Sequence, residues 1–196
     1  MRLLVATTNR NKVREIRALL DVPSLELVGL DAWPSLTAPE ETGRTFEENA
    51  RQKARYYASA TGELTVAEDS GLEVDALGGA PGVESARYGG AAASYPEKFA
   101  RLYDALAKSG TPGSPARFVC ALALVQNDVV LFEARGTVEG RIAPAPAGAG
   151  GFGYDPIFFY PPYGRTLGEA SAEEKSRVSH RGQAFRALKA FVLSYE

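Results

Sequence analysis

Leu64-Thr65-Val66-Ala67-Glu68-Asp69-Ser70-Gly71-Leu72 is the stretch from which the fold of this chain can be read. Its first four residues are apolar or β-branched, the composition of a short buried strand. Two acids follow, and Gly71 behind them permits a tight turn. In open α/β sheets the carboxyl end of a strand opens onto the ligand crevice. An acid placed there can hold a divalent metal or take a proton from water. The same residues also suit a plain Asp-Ser-Gly turn. The surrounding sequence decides between these readings.

Upstream, Thr45 with Glu48 three residues later forms a capping box that predicts a helix running to about Ala60. Its inner stripe reads Phe46, Ala50, Lys53, Tyr57. A lysine in an apolar stripe either snorkels to the surface or points into a site. Further upstream, Leu3 to Ala6 reads as a buried strand and Thr7 to Asn11 as a polar loop. A helix with Val13, Ile16, Leu19 and Leu20 on one face follows. That order opens a βα unit, and Leu25 to Val28 supplies a second strand. Pro34 and Pro39 mark a loop that runs to Gly43.

Downstream, the alternation of Leu72, Val74 and Ala76 predicts another strand, and Gly78, Gly79, Pro81 and Gly82 a turn-rich connection. Ser94 and Glu97 form a second capping box, starting a helix lined by Phe99, Leu102, Tyr103 and Leu106, with Pro96 tolerated in its first turn. Ala116 to Gln126 is apolar at both alternating sets, as in a central strand covered on both faces. Asn127-Asp128 turns it into a return strand from Val129 to Ala134, so the sheet is mixed. Pro144 to Tyr163, rich in Gly, Pro and aromatics, reads as irregular. Ser171 and Glu174 start a short helix, and Ser179 caps a last one with Ala184, Phe185, Leu188 and Phe191 on its inner face.

The 196 residues give one compact unit or two small lobes sharing a sheet. A hydrophobic fraction of 45% is ample for a core. A formal net charge of -2 argues against a broad nucleic-acid surface, which should be basic, while leaving room for a local basic pocket. Cys120, the only cysteine, sits in an apolar run and reads as a buried, inert thiol. Zinc-type Cys/His spacing is absent from the sequence. The apolar run at Met1 to Ala6 is too short for a signal peptide or a membrane span, so a cytoplasmic protein is expected.

Four elements have the composition of an anion-and-metal site. Thr7-Thr8-Asn9-Arg10-Asn11-Lys12 joins a strand to a helix N-terminus, where unpaired N–H groups and the helix dipole favour phosphate. The run lacks the glycines of a P-loop, and a simple capped helix start is its other reading. Glu40-Glu41 precedes the Thr45 helix, and one of the two could join Asp69 on Mg²⁺, which takes oxygen ligands from one or two carboxylates plus substrate phosphates. In Gly150-Gly151-Phe152-Gly153-Tyr154-Asp155-Pro156, Phe152 could stack on a base and Asp155 accept hydrogen bonds from its edge. Ser179-His180-Arg181 opens the last helix, with Lys175 on the one before. Arginine suits planar or phosphate groups in fixed geometry.

Taken in order, these segments resemble the Ham1-like inosine triphosphate pyrophosphatases. Carrying the resemblance are Ala6-Thr7-Thr8-Asn9 with Lys12, Glu40-Glu41-Thr42-Gly43, Thr45 to Ala50 with Lys53-Ala54, and Glu68 to Leu72 continuing into Val74 to Val83. Ser85-Ala86-Arg87-Tyr88, Gly150 to Pro156, Glu174-Lys175 and Ser179 to Gly182 complete it. The resemblance implies an α/β fold, elongated and two-lobed, with a long mixed sheet flanked by helices and a central substrate cleft, one Ham1-like domain over residues 1–196. It also implies a homodimer and Mg²⁺-dependent hydrolysis of ITP, dITP and XTP to the monophosphate and pyrophosphate, clearing deaminated purines from the nucleotide pool.

Carried over by position, Glu40 and Asp69 are the implied metal acids and Asp69 the implied general base, with Lys53 beside it. Thr7, Thr8, Asn9, Arg10, Asn11 and Lys12 are the implied triphosphate loop, and Ser70 lies on the phosphate side. Phe152, Gly153, Tyr154, Asp155, Lys175, His180 and Arg181 are the implied base-recognition set. Two positions depart from the family pattern: Thr8 stands where many members have Gly, and Glu68 where many have a second Asp. Donors from His180 or Arg181 would discriminate the 6-oxygen of hypoxanthine and xanthine from the 6-amino group of adenine. The competing readings are a nucleotide sensor without turnover and a Maf-like pyrophosphatase with another base preference.

Overall fold

The computed structural model describes residues 1–195. Seven strands form one sheet in the order β2-β1-β3-β4-β5-β6-β7. They are β1 (Arg2–Val5), β2 (Glu26–Gly29), β3 (Thr65–Val74), β4 (Pro115–Gln126), β5 (Val129–Ile142), β6 (Phe158–Tyr160) and β7 (Arg165–Thr166). Five α-helices accompany them: α1 (Arg10–Leu19), α2 (Phe46–Thr61), α3 (Tyr95–Lys108), α4 (Ala172–Val178) and α5 (His180–Tyr195). β1 pairs in parallel with both β2 and β3, whereas β6 is antiparallel to β5 and β7, so the sheet is mixed as expected. Among the described residues, no helix is long and apolar enough to cross a membrane.

Capping chemistry fixes where the helices begin. Thr45 Oγ1 accepts from Glu48 N while the Glu48 carboxylate accepts from Thr45 N. Ser94 with Glu97 and Ser171 with Glu174 repeat the pattern at α3 and α4. Each such cap contributes about 1 kcal/mol by satisfying orphan N–H groups. α2 stops at Gly62, whose φ of 74° is the left-handed conformation that glycine adopts at no steric cost.

The chain divides into two compact units, with boundaries inside β3, β4 and β5. The first comprises residues 1–69, 120–136 and the chain from His180 onward. Its core joins Leu3 and Val5 of β1, Ile16 of α1, Val66 of β3, Leu122 and Leu124 of β4, and Ala184, Phe185, Leu188 and Val192 of α5. Phe191, expected on the inner face of α5, is only partly buried and stacks on Phe132 at 4.7 Å. The second unit comprises residues 70–119 and 137–179. Its core joins Leu72 and Val74, Phe99, Leu102 and Leu106 of α3, Phe118, Val138, Tyr154, Ile157 and Phe158.

Three expectations are corrected. The chain does not turn at Ser70-Gly71: β3 runs straight through as a ten-residue strand, and Gly71 serves close packing instead of a turn. A Cβ at Gly71 would stand 2.5 Å from the Gly82 carbonyl oxygen and against Ser85 Oγ, so only glycine lets that loop lie on the strand. Ala76 belongs to a short 3-10 turn, Asp75–Leu77, and not to a strand. The aromatic stretch from Pro144 to Tyr163 contains β6, because Phe158 is fully buried and Phe159 pairs with Arg141 of β5 and Thr166 of β7.

Candidate active site

The first unit carries two groups of charged side chains built on β3. Successive residues of a strand point to opposite faces, so the Glu68 and Asp69 side chains leave β3 in opposite directions and make different hydrogen bonds. Asp69 faces α2. Its Oδ2 accepts from Asn49 Nδ2 at 2.9 Å, and its Oδ1 lies 3.6 Å from Lys53 Nζ. The same ammonium donates to Glu41 Oε1 at 2.7 Å. Lys53, four residues after Asn49, therefore projects from the inner stripe of α2 onto two carboxylates and does not snorkel to solvent. Burial raises the Asp69 pKa above the usual value, more than Lys53 and Asn49 lower it. Burial also works against the Lys53 ammonium, but Asp69 and Glu41 outweigh it and hold its pKa above the ordinary value.

Asn49 is a site residue that sequence reasoning missed. It is fully buried, gives its amide N–H to Asp69, and takes the Gly43 N–H on Oδ1 at 2.8 Å. One side chain thus pins the loop before α2 to the carboxylate on β3. The available signal was a polar residue one position before Ala50, on the helix face that also carries Phe46, Lys53 and Tyr57.

Glu40 is corrected. It is exposed and reaches α2 through its backbone carbonyl, which accepts from Gln52 Nε2 at 2.9 Å. The carboxylate that meets Lys53 beside Asp69 is Glu41. Among the described residues, no group of three or more His, Cys, Asp or Glu side chains is arranged to hold a metal. Two hard carboxylates within 3.6 Å of one ammonium do fit an ion that takes its remaining ligands from phosphates and water.

On the other face of β3, Glu68 is buried with its side chain 1% exposed. Its Oε1 accepts from Arg181 Nε at 3.3 Å and Nη2 at 3.1 Å and pairs with Lys12 Nζ at 2.9 Å, while Cys120 Sγ donates to Oε2 at 3.4 Å. Burial opposes the charge, yet Arg181 and Lys12 override it and hold the Glu68 carboxyl well below the usual range. Burial, reinforced by Glu68, pushes the Cys120 thiol well up, in line with the inert thiol expected. Arg181 Nη1 goes to Glu15 Oε2 at 2.8 Å.

Arg181 belongs to the base-recognition set that the resemblance implies. Its guanidinium is buried and spread over Glu68 and Glu15 within the first unit. His180 is also buried. Gly136 of β5 lies against its backbone carbonyl, where any Cβ would clash. Ser179, extended at φ −63° and ψ 151°, leads into α5.

The loop after β1 is capped as read. Asn9 Oδ1 accepts from Asn11 N at 3.0 Å and Lys12 N at 3.2 Å, and Thr7 Oγ1 accepts from Asn9 N at 3.2 Å. Thr8 has no positive φ, so replacing a glycine here introduces no backbone strain. Ser70 follows Asp69 within β3 and is half-buried.

The second unit holds the other predicted group. Lys175 Nζ donates to Asp155 Oδ2 at 2.6 Å and lies 4.5 Å over the Phe152 ring. Asp155 Oδ2 also accepts from Phe152 N at 2.7 Å. Gly151, at φ 67°, has no room for a side chain, since a Cβ would stand 2.8 Å from Asp155 Cγ. Tyr154 is buried, donates its hydroxyl to the Ser85 carbonyl at 2.8 Å, and packs edge-on to Tyr95. Ser85 Oγ in turn accepts from Leu72 N at 2.8 Å and donates to the Gly82 carbonyl at 2.6 Å. Gly153, at φ 69°, completes the loop.

Comparison with known proteins agrees with this architecture. The Ham1 family model matches residues 3–191. A dITP/XTP pyrophosphatase of Gloeobacter violaceus is 50% identical over 95% of this chain and 91% of its own. One of an Exiguobacterium species is 45% identical over all of this chain and 98% of its own. A HAM1 protein from Coxiella burnetii superposes with a TM-score of 0.93 at 38% identity, covering 99% of each chain. The chain belongs to the Ham1 family.

Proposed function

We propose that the protein is a nucleoside triphosphate pyrophosphatase that hydrolyses ITP, dITP and XTP to the monophosphate and pyrophosphate with Mg²⁺. Family membership supports the reaction class. The observation that carries the residue assignment is the meeting of Asp69, Glu41 and Lys53, with Asn49 orienting Asp69.

In this reading Asp69 takes the proton from the water that attacks the α-phosphorus. A general base works best with a pKa near the operating pH, and burial moves Asp69 in that direction. Lys53 stabilises charge developing on the pyrophosphate leaving group, the electrostatic role on which phosphoryl transfer depends. Thr7 to Lys12 present a capped helix N-terminus to the triphosphate. Asp69 and Glu41 are the residues that would hold Mg²⁺, which when bound offsets phosphate charge.

Base selection is assigned to Phe152, Asp155 and Lys175. Phe152 offers a flat apolar surface. Lys175 is a donor only and ionised Asp155 an acceptor only. A 6-oxo purine presents an O6 acceptor beside an N1–H donor, complementary to that pair. Adenine presents the reverse and leaves both groups mismatched, which is costly when they are buried. Guanine shares the 6-oxo edge, so its 2-amino group must be refused by other contacts. A homodimer acting on the cytoplasmic nucleotide pool belongs to the same reading, with the homodimer testable by light scattering.

The experiment is pyrophosphate release from ITP, XTP, GTP and ATP, with and without Mg²⁺. Mg²⁺-dependent release from ITP and XTP with little from GTP and ATP is expected. Release from ordinary nucleotides would shift the reading to the Maf-like preference, and no release from any of the four would leave the sensor.

A further inference from the structure

A groove of about 770 Å³ runs along α1 on the first unit. It is lined by Thr7 and Thr8 after β1, by Arg10, Arg14 and Arg17 of α1, and by Trp33 in the segment after β2. Spacings of four and three residues put the three arginines on one face of the helix. All three are exposed. Arg14 Nη2 donates to Asn11 Oδ1 at 3.2 Å, while among the described residues the side chains of Arg10 and Arg17 have no hydrogen-bond or ion-pair partner. The groove also has one carboxylate, Asp31, whose side chain turns back over Gly29 into the space a Cβ would need there. Three guanidinium groups against one carboxylate make this a locally cationic lining on a chain of net charge -2.

The chemistry of that lining is specific. Exposed guanidinium groups in a row are suited to phosphate oxygens, which they bind through planar, paired donors. Trp33 adds a flat aromatic surface, with the Arg2 guanidinium 5.9 Å over its ring. The volume falls in the range of small-molecule sites, roughly 300–1,000 Å³. An inorganic anion would use the arginines and leave the indole without a role.

We propose that this groove is a second nucleotide site, distinct from the Asp69–Lys53 centre, in which phosphates lie on Arg14 and Arg17 and the heterocycle lies against Trp33. Its occupant also touches the catalytic side: Thr7 and Thr8 line the groove, and Thr7 Oγ1 holds Asn9, the cap of α1. Binding there would alter the loop assigned to the substrate triphosphate. That coupling rests on the proposed pyrophosphatase reading, whereas binding itself does not.

Trp33 is the only tryptophan, so its fluorescence reports on this groove. The protein, without Mg²⁺, is titrated with GMP, which has no pyrophosphate to release, and separately with inorganic pyrophosphate. Saturable quenching by GMP is expected, weakened by about tenfold or more in Arg14→Glu/Arg17→Glu through loss of charge-assisted contacts. Calorimetry should show a comparable loss of GMP affinity in Trp33→Leu. Both variants should retain ITP turnover at saturating substrate. Unchanged GMP affinity in the arginine variant would overturn the proposal. So would pyrophosphate binding as tightly as GMP and indifferent to Trp33→Leu, since the groove would then be a plain anion site. If the parent protein released no pyrophosphate from ITP, the activity reading would fall while the GMP titration stood.

Discussion

The two faces of β3 treat adjacent carboxylates in opposite ways. Glu68 is enclosed by Arg181, Lys12 and Cys120, and its carboxyl is held well below the usual range. Asp69 has Asn49 at 2.9 Å and Lys53 at 3.6 Å, and burial raises its pKa. Where cations at 2.9 and 3.1 Å meet the desolvation cost, the acid is a fixed charge that fastens α1 and α5 to the sheet. Where compensation is incomplete, the acid keeps an affinity for protons that a general base needs. A structural and a reactive carboxylate are thus separated by one residue and by the period of the strand.

The strongest way to break this comparison is to neutralise each acid in turn. Asp69→Asn should lower ITP turnover by about 10²–10⁴-fold, the usual worth of a general base, while nucleotide binding stays measurable. Glu68→Gln should act on stability, because Arg181 loses its main partner while buried. Removing one member of a buried pair costs about 3–5 kcal/mol, read by urea denaturation.

The pH dependences should also oppose. Glu68 has a depressed folded pKa, so its stabilisation is present above the unfolded carboxylate range and is lost as pH falls through the folded value. Glu68→Gln should therefore flatten the acid limb of the stability curve. Asp69 has a raised folded pKa, so its contribution is full below the ordinary value of 3.8 and is lost as pH rises through the folded one. At neutral pH its charge opposes folding, and Asp69→Asn should leave stability unchanged or higher. The acid limb of the rate profile should have its midpoint above 3.8.

Two smaller effects sharpen the picture. Lys175→Met should reduce the preference for ITP over ATP by about tenfold, because one donor to the 6-oxygen is lost. The ratio of kcat/KM values on folded protein is the readout, and an unchanged ratio would remove Lys175 from base selection. Cys120→Ala should leave turnover unaltered, and the native thiol should resist alkylation until denaturant is added.

Much of the fold was legible because its signals are local. Three capping boxes placed α2, α3 and α4, the doubly apolar run placed β4, and Asn127-Asp128, both at positive φ, placed the hairpin into β5. The errors came where a residue has two physical uses. Gly71 looked like a turn but makes room for the Ser85 loop, a contact fourteen residues away that no local pattern announces. β6 hid in a Pro-rich stretch because three residues are too few to show a period.

The site was legible as residue types and less so as assignments. Asp69, Lys53, Phe152, Asp155 and Lys175 fall into the two charged groups that the motifs outlined. Glu40 and Glu41 are alike in sequence, and only the path of the loop makes Glu41 the partner of Lys53. The ion pairs of Arg181 with Glu15 and Glu68, which lie 166 and 113 residues away, have no local sequence signal.

The most direct test of the account takes Asp69→Asn and Glu68→Gln through two assays, pyrophosphate release from ITP and urea denaturation. The account predicts that Asp69→Asn is folded at least as stably as the parent and nearly inactive, with Glu68→Gln destabilised by several kcal/mol. Near-parental turnover in Asp69→Asn, or equal destabilisation of the two variants, would contradict it.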